Sequence, residues 1–149
     1  MTTTAPTARG RSPLATKPFY DLTVSLLGCV RDHDFTTLAK LCDDDFGIVD
    51  ITTTGGSLVI RDRAGWEEWF TGLFAQLDAA QARTWSEITG YEAREGQDMA
   101  YSVVDFDQMF VTDEECLRFS VIATIIWKHE EDGWKESRYH SSLIAVTPA

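Results

Sequence analysis

The sequence predicts an α+β domain in which three helices near the N-terminal side pack on a strongly curved antiparallel sheet. Three observations carry this reading. Apolar residues recur at helical spacing in three segments of the first half. Four long strand-type runs fill the second half, near 83–94, 98–111, 116–129 and 134–146. The links between those runs are too short for a parallel crossover, which needs a dozen or more residues, so the runs must be antiparallel neighbours.

Taken in order, residues 1–16 read as a disordered leader and 17–149 as the domain. Pro18 opens the first helix at a position that tolerates a missing N–H. Phe19, Leu22, Leu26, Leu27 and Val30 then share one helical face. Asp32-His33-Asp34 breaks the pattern, and Asp34 caps a short second helix carrying Phe35, Leu38, Leu41 and Cys42. The run Asp43–Asp45 reads as its charged end. Residues 46–53 and 58–61 are strand-like and flank Thr54-Gly55-Gly56-Ser57, a hairpin signal. Asp62 caps the strongest helix, where Trp66, Trp69, Phe70, Leu73, Phe74 and Leu77 form a broad apolar stripe. Runs as long as those that follow imply a bent sheet, and Gly90 is placed for a bend or bulge.

Composition narrows the function classes. The chain has 149 residues, 44% of them apolar, with five Trp and eight Phe, enough for one sizeable core. No apolar run reaches the ~20 residues of a membrane span, and the N-terminus lacks a secretory signal, so a cytoplasmic protein is expected. The net charge is −11, and the first 18 residues hold Arg9, Arg11 and Lys17 with no acid, which leaves the remainder more acidic still. Such a body repels phosphate backbones and anionic membranes, so no nucleic-acid or membrane partner is expected. Cys29, Cys42 and Cys116 are scattered and read as free thiols. His33 and His129 read as solvated. No His pair supports a metal site, and no glycine-rich loop supports a nucleotide, so neither metal nor cofactor is expected.

The element order, helix-helix-strand-strand-helix and then four strands, resembles the NTF2-like superfamily, which includes SnoaL-like and ketosteroid-isomerase-like domains. Asp132-Gly133-Trp134 followed by His140-Ser141-Ser142 resembles the closing strand of that superfamily, and residues 18–146 are covered. The resemblance implies a cone enclosing a largely apolar pocket, with a homodimer formed through the outer sheet face. Within ketosteroid isomerases, Leu41-Cys42-Asp43-Asp44-Asp45-Phe46-Gly47-Ile48-Val49-Asp50 resembles the segment that ends on the general base, which puts Asp50 in that role. Their oxyanion hole is not matched: Leu26 stands at its tyrosine position, and 119–123 holds no acid. SnoaL-type cyclases imply a pocket aspartate, for which Asp105 is the candidate, with Tyr101 and Val103 on the same strand face. Against this, an aspartate in a long strand commonly faces outward. The kinase-association hub is also similar, but its pocket arginines fall on Val103, Ile125 and Ser141.

His140 would serve as acid or base on a concave face and as part of a polar interface on a convex one; alternation leaves both open. Strict alternation sets it with Trp134 and Glu136, opposite Tyr139 and Ser141. The expected catalytic set is therefore Asp50, Asp105 and His140. The expected ligand contacts are Tyr101, Val103, Trp66, Phe70, Ile125 and Tyr139. A small apolar or aromatic molecule is the expected partner, for a cofactor-free isomerase, cyclase or lyase. The rival is a non-catalytic dimeric interaction or assembly module.

Overall fold

The computed structural model describes residues 13–52 and 56–149, so most of the leader and the Thr54-Gly55 part of the hairpin signal lie outside the described residues. A 3-10 turn, Pro13–Thr16, precedes α1 (Tyr20–Asp32), α2 (Phe35–Leu41), β1 (Cys42–Ile51), β2 (Ser57–Ile60) and α3 (Arg63–Ala79). Then come β3 (Arg83–Glu95), β4 (Met99–Val111), β5 (Cys116–Glu130) and β6 (Gly133–Pro148). The six strands run in the order β2-β1-β6-β5-β4-β3. The sheet is mixed: every pair is antiparallel except β1 with β6, which is parallel. The α+β layout is as expected, and the expected all-antiparallel sheet is corrected at this one seam. β1 and β6 are joined through the rest of the domain, so no short link constrains their direction.

Local sequence explains most of the element ends. Asp34 accepts from Thr37 N at 3.1 Å and Asp62 from Gly65 N at 2.9 Å, which caps α2 and α3. Gly90 sits at a register shift in β3, where an added Cβ would lie 2.8 Å from Asp105 Oδ2. The first helix begins later than Pro18 suggested. Phe19 is left-handed at φ 62° and swings its ring onto Trp127 (5.4 Å, stacked) and Trp134 (5.0 Å, edge-on). Packing two indoles around one phenyl outweighs the ~1–2 kcal/mol cost of that backbone conformation.

The Asp43–Asp45 run is strand, not a helix end. Cys42 pairs with Glu136 and Gly47 with Arg138, so β1 bulges away from β6 between them. Arg63, at the start of α3, donates to the carbonyls of Ala39, Cys42 and Asp43 at 2.6, 3.0 and 2.9 Å. Its guanidinium thereby satisfies the end of α2 and the start of β1, which the ladder leaves unpaired. His33 is likewise not a solvated turn residue. Its ring stacks on Phe74 at 4.6 Å and its Nδ1 lies 3.0 Å from Asp78 Oδ1, tying the α1–α2 turn to the end of α3.

The core lies between the helices and the concave sheet face. Trp66, Trp127, Phe46 and Val104 are among its fully buried side chains, joined by Phe70, Phe74 and Ile125. Trp127 also donates its indole N–H to Ser102 Oγ at 3.0 Å, so its polar edge is satisfied in a buried setting. Cys29, Cys42 and Cys116 are free thiols. No helix among the described residues is long and apolar enough to cross a membrane.

Candidate functional site

Two irregularities in β6 decide which side chains look into the cone. Ile126 pairs with Arg138 but Trp127 with Glu136, so Ser137 is an extra residue opposite no partner. A one-residue bulge inverts the alternation on its far side. Trp134 and Glu136 therefore share the inner face with Tyr139 and Ser141, where strict alternation set them opposite. A second shift near Ser120 leaves Ile144 as the extra residue.

Asp50 belongs to the inner face. It follows Phe46 and Ile48, both buried in the core, at two-residue steps along β1. Its Oδ1 accepts from Ser141 Oγ at 2.7 Å and from Ile51 N at 2.8 Å. Burial pushes its carboxyl above the ordinary aspartate range, and the two hydrogen bonds only partly offset this. Tyr139 is on the same strand as Ser141 and one strand from Asp50. Burial, then the negative charges of Asp50 and Glu136, raise its phenol well above the usual value.

Glu136 is the second carboxyl of this inner strip and was not among the expected site residues. It is 4% exposed, and its Oε1 accepts from Cys42 Sγ at 3.4 Å. Burial raises it to about 8; the Cys42 contact opposes this, while Asp43 and Asp50 reinforce it. The Cys42 thiol is held above its ordinary value by burial and by Glu136, so it is no nucleophile. Asp43 is buried too, with Lys128 Nζ 3.5 Å from an Oδ2 that lacks any hydrogen bond. The arrangement places two carboxyls raised by burial, Glu136 and Asp50, on one inner face. Two carboxyls in unequal surroundings suit donation and acceptance of a proton. Among the described residues, no group of three or more His, Cys, Asp or Glu is disposed to hold a metal ion.

The expected site residues fall into three places. Asp50 and Tyr139 are on the inner face together. Trp66, Phe70 and Ile125 are 1%, 9% and 3% exposed, and so fill the cone. Asp105, His140, Tyr101 and Val103 are on the outer face: Ala100, Ser102, Val104 and Phe106 between them are buried, and Thr124 pairs with both Val103 and His140. Asp105 and His140 are exposed and separated by β5, about 10 Å at ordinary strand spacing. The structure does not bring them to Asp50. Glu136 was hidden because no residue type near Ser137 announces a bulge. Its neighbours gave no signal either, since Lys135, Ser137 and Arg138 make this half of β6 polar in sequence.

Helices lining the concave side of a bent six-stranded sheet, with a carboxyl-bearing strip inside, define a cone-shaped α+β protein with the NTF2-like fold. Residues 21–147 match the profile of the SnoaL-like domain, and the chain belongs to that family. Three solved structures illustrate the shared fold. A type 2 hexachlorocyclohexane dehydrochlorinase (LinA) is 17% identical with a TM-score of 0.69, covering 87% of this chain and 84% of its own. The β subunit of benzoate 1,2-dioxygenase from Burkholderia mallei is 12% identical with a TM-score of 0.69, covering 80% and 84%. The kinase hub homology domain of Chlamydomonas reinhardtii is 15% identical with a TM-score of 0.65, covering 83% and 93%. No curated protein matches the chain in sequence.

Proposed function

We propose that this SnoaL-like domain is a cytoplasmic, cofactor-free acid–base protein that works on a small apolar molecule, with Asp50 as the group that moves the proton. The observation that carries the reading is the Asp50 carboxyl itself: on the inner face of β1 opposite Leu58 of β2, hydrogen-bonded to Ser141, and raised by burial. A desolvated carboxylate is a stronger base towards carbon than a solvated one, because water no longer stabilises its anion. Glu136, pushed up to about 8 by burial, is a second proton-holding group further along the same inner strip, opposite Cys42. Isomerisation, cyclisation and elimination all begin with such a proton transfer, and the dehydrochlorinase shows that the same fold accommodates one elimination. Free thiols accord with a reducing compartment.

Exchange of the α-hydrogens of 2-cyclohexen-1-one in D2O tests this without knowledge of the natural substrate. Asp50→Asn is expected to slow protein-dependent exchange by roughly a hundredfold, the usual weight of a positioned base. Asp105→Asn and His140→Gln leave it unchanged. Equal rates in Asp50→Asn and the parent would remove the base from the mechanism.

The outer face supports a second reading, assembly with another copy of the chain. Met99 and Tyr101 are 55% and 43% exposed there, more large apolar surface than a solvated strand face needs. Sedimentation velocity is expected to give a dimer that Tyr101→Glu converts to monomer. A parent that sediments as a monomer at high concentration overturns this reading.

A further inference from the structure

The long helix α3 presents two apolar faces. Trp66, Phe70 and Phe74 enter the core, while Gly65, Trp69, Gly72 and Leu73 face Leu58 and Ile60 of β2 across a groove of about 380 Å³. Glu68 and Gln76 complete its lining. Trp69 is held edge-on against Phe70 at 4.7 Å, which keeps the indole in place as one wall. Gly65 and Gly72 stand one turn before and after it, and a Cβ at Gly72 would meet nothing within 4 Å. The glycine leaves open space beside the ring.

The charge of the groove is of one sign. Its ionisable lining residue is Glu68, which has no ion-pair partner among the described residues. Arg63, on the first turn of the same helix, is engaged by three backbone carbonyls and reaches Glu67 and Asp44 instead. Leu58 is the cross-strand partner of Asp50, so the β2 wall of the groove adjoins a second acid. An anion entering here would meet Glu68 and no cation among the lining residues, on a chain of net charge −11. A cation would find Glu68 beside the indole of Trp69.

We infer that the α3–β2 groove binds an apolar molecule carrying a protonated amine, its body against Leu58, Ile60, Trp69 and Leu73 and its ammonium at Glu68. The inference deepens the acid–base reading, on which it rests for the role of Asp50 beside the bound molecule. Three probes sharing one skeleton test it on the full chain by NMR: 2-phenylethylamine, 2-phenylethanol and phenylacetate. The amine is expected to shift the Trp69 indole resonance, assigned through Trp69→Phe, and to bind roughly fivefold or more tightly than the alcohol. Phenylacetate leaves the resonance unmoved. Glu68→Gln brings amine and alcohol to similar affinity. Gly72→Leu closes the groove and abolishes the shift with Tm unchanged or raised, since leucine is the better helix former.

Equal binding of amine and carboxylate overturns the inference, as does the absence of amine binding or undiminished binding in Gly72→Leu. The two readings fail separately. If the amine binds but exchange does not depend on Asp50, the acid–base reading falls and the groove stands. If exchange depends on Asp50 while the amine does not bind, the groove falls alone.

Discussion

Trp127→Ala is expected to destabilise the fold by about 4 kcal/mol, lowering Tm by roughly 10–15 °C. Trp127 is 0% exposed and sits on the inner face of β5, stacked on Phe19 and bonded to Ser102. Three losses combine: the buried indole area, the cavity left behind, and the partner of a Ser102 hydroxyl that is itself fully buried. The stack also holds Phe19 in its left-handed conformation, so α1 loses the anchor that sets its first turn. Trp127→Phe separates these effects. It keeps most of the stack and gives up the hydrogen bond, for a cost of about 1–2 kcal/mol. Chemical denaturation measures both; an alanine variant within about 1 kcal/mol of the parent would mean that the indole is not central to the packing.

The second large effect is a pH dependence. Glu136 titrates near 8 in the fold against an ordinary value of 4.5. Between those values the folded chain keeps a proton that the unfolded chain has lost, so stability must fall as pH rises through this window. The contribution is fully present below 4.5 and gone above about 8. Its slope is at most ~1.4 kcal/mol per pH unit, on the order of 3 kcal/mol from pH 5 to 8. Asp50 acts in the same sense, because its carboxyl is also raised. Glu136→Gln keeps a neutral group of the same shape and is expected to flatten most of the slope. It should therefore gain on the order of 2 kcal/mol over the parent at pH 8 and little at pH 5. Urea midpoints across that range read this out. Because the net negative charge repels itself in both proteins, the difference between them isolates Glu136. An unchanged slope in the glutamine variant would place the proton elsewhere.

Both predictions depend on features that the sequence reveals unevenly. The β3–β6 meander is legible because its alternation is long and its turns are polar and short; the observed strands begin and end within a few residues of the expected ones. The caps at Asp34 and Asp62 are legible because capping is local chemistry. Phe19 is not, since its backbone is set by Trp127 and Trp134, more than a hundred residues away. The parallel β1–β6 seam is a long-range choice of the same kind.

The site divides along the same line. Asp50 could be singled out because a ten-residue segment ending on it resembles a known one, and β1 carries it inward at the expected period. Glu136 could not, because its direction depends on the Ser137 bulge, which inverts one end of β6 and has no side-chain signature. Asp105 rests on the resemblance to SnoaL-type cyclases and His140 on its place in the closing strand, and their strands turn both outward. Strand-face assignments in this chain hold only as far as the nearest bulge.

The most direct test of Asp50 as the proton-moving group is its own titration, followed by the ¹³C shift of its side-chain carboxyl and assigned through Asp50→Asn. The expected midpoint lies above the ordinary aspartate value of about 3.9 and moves higher still in Ser141→Ala, which removes a hydrogen bond that favours the anion. A midpoint at or below that value, unmoved by Ser141→Ala, would describe a solvated carboxylate and contradict the assignment.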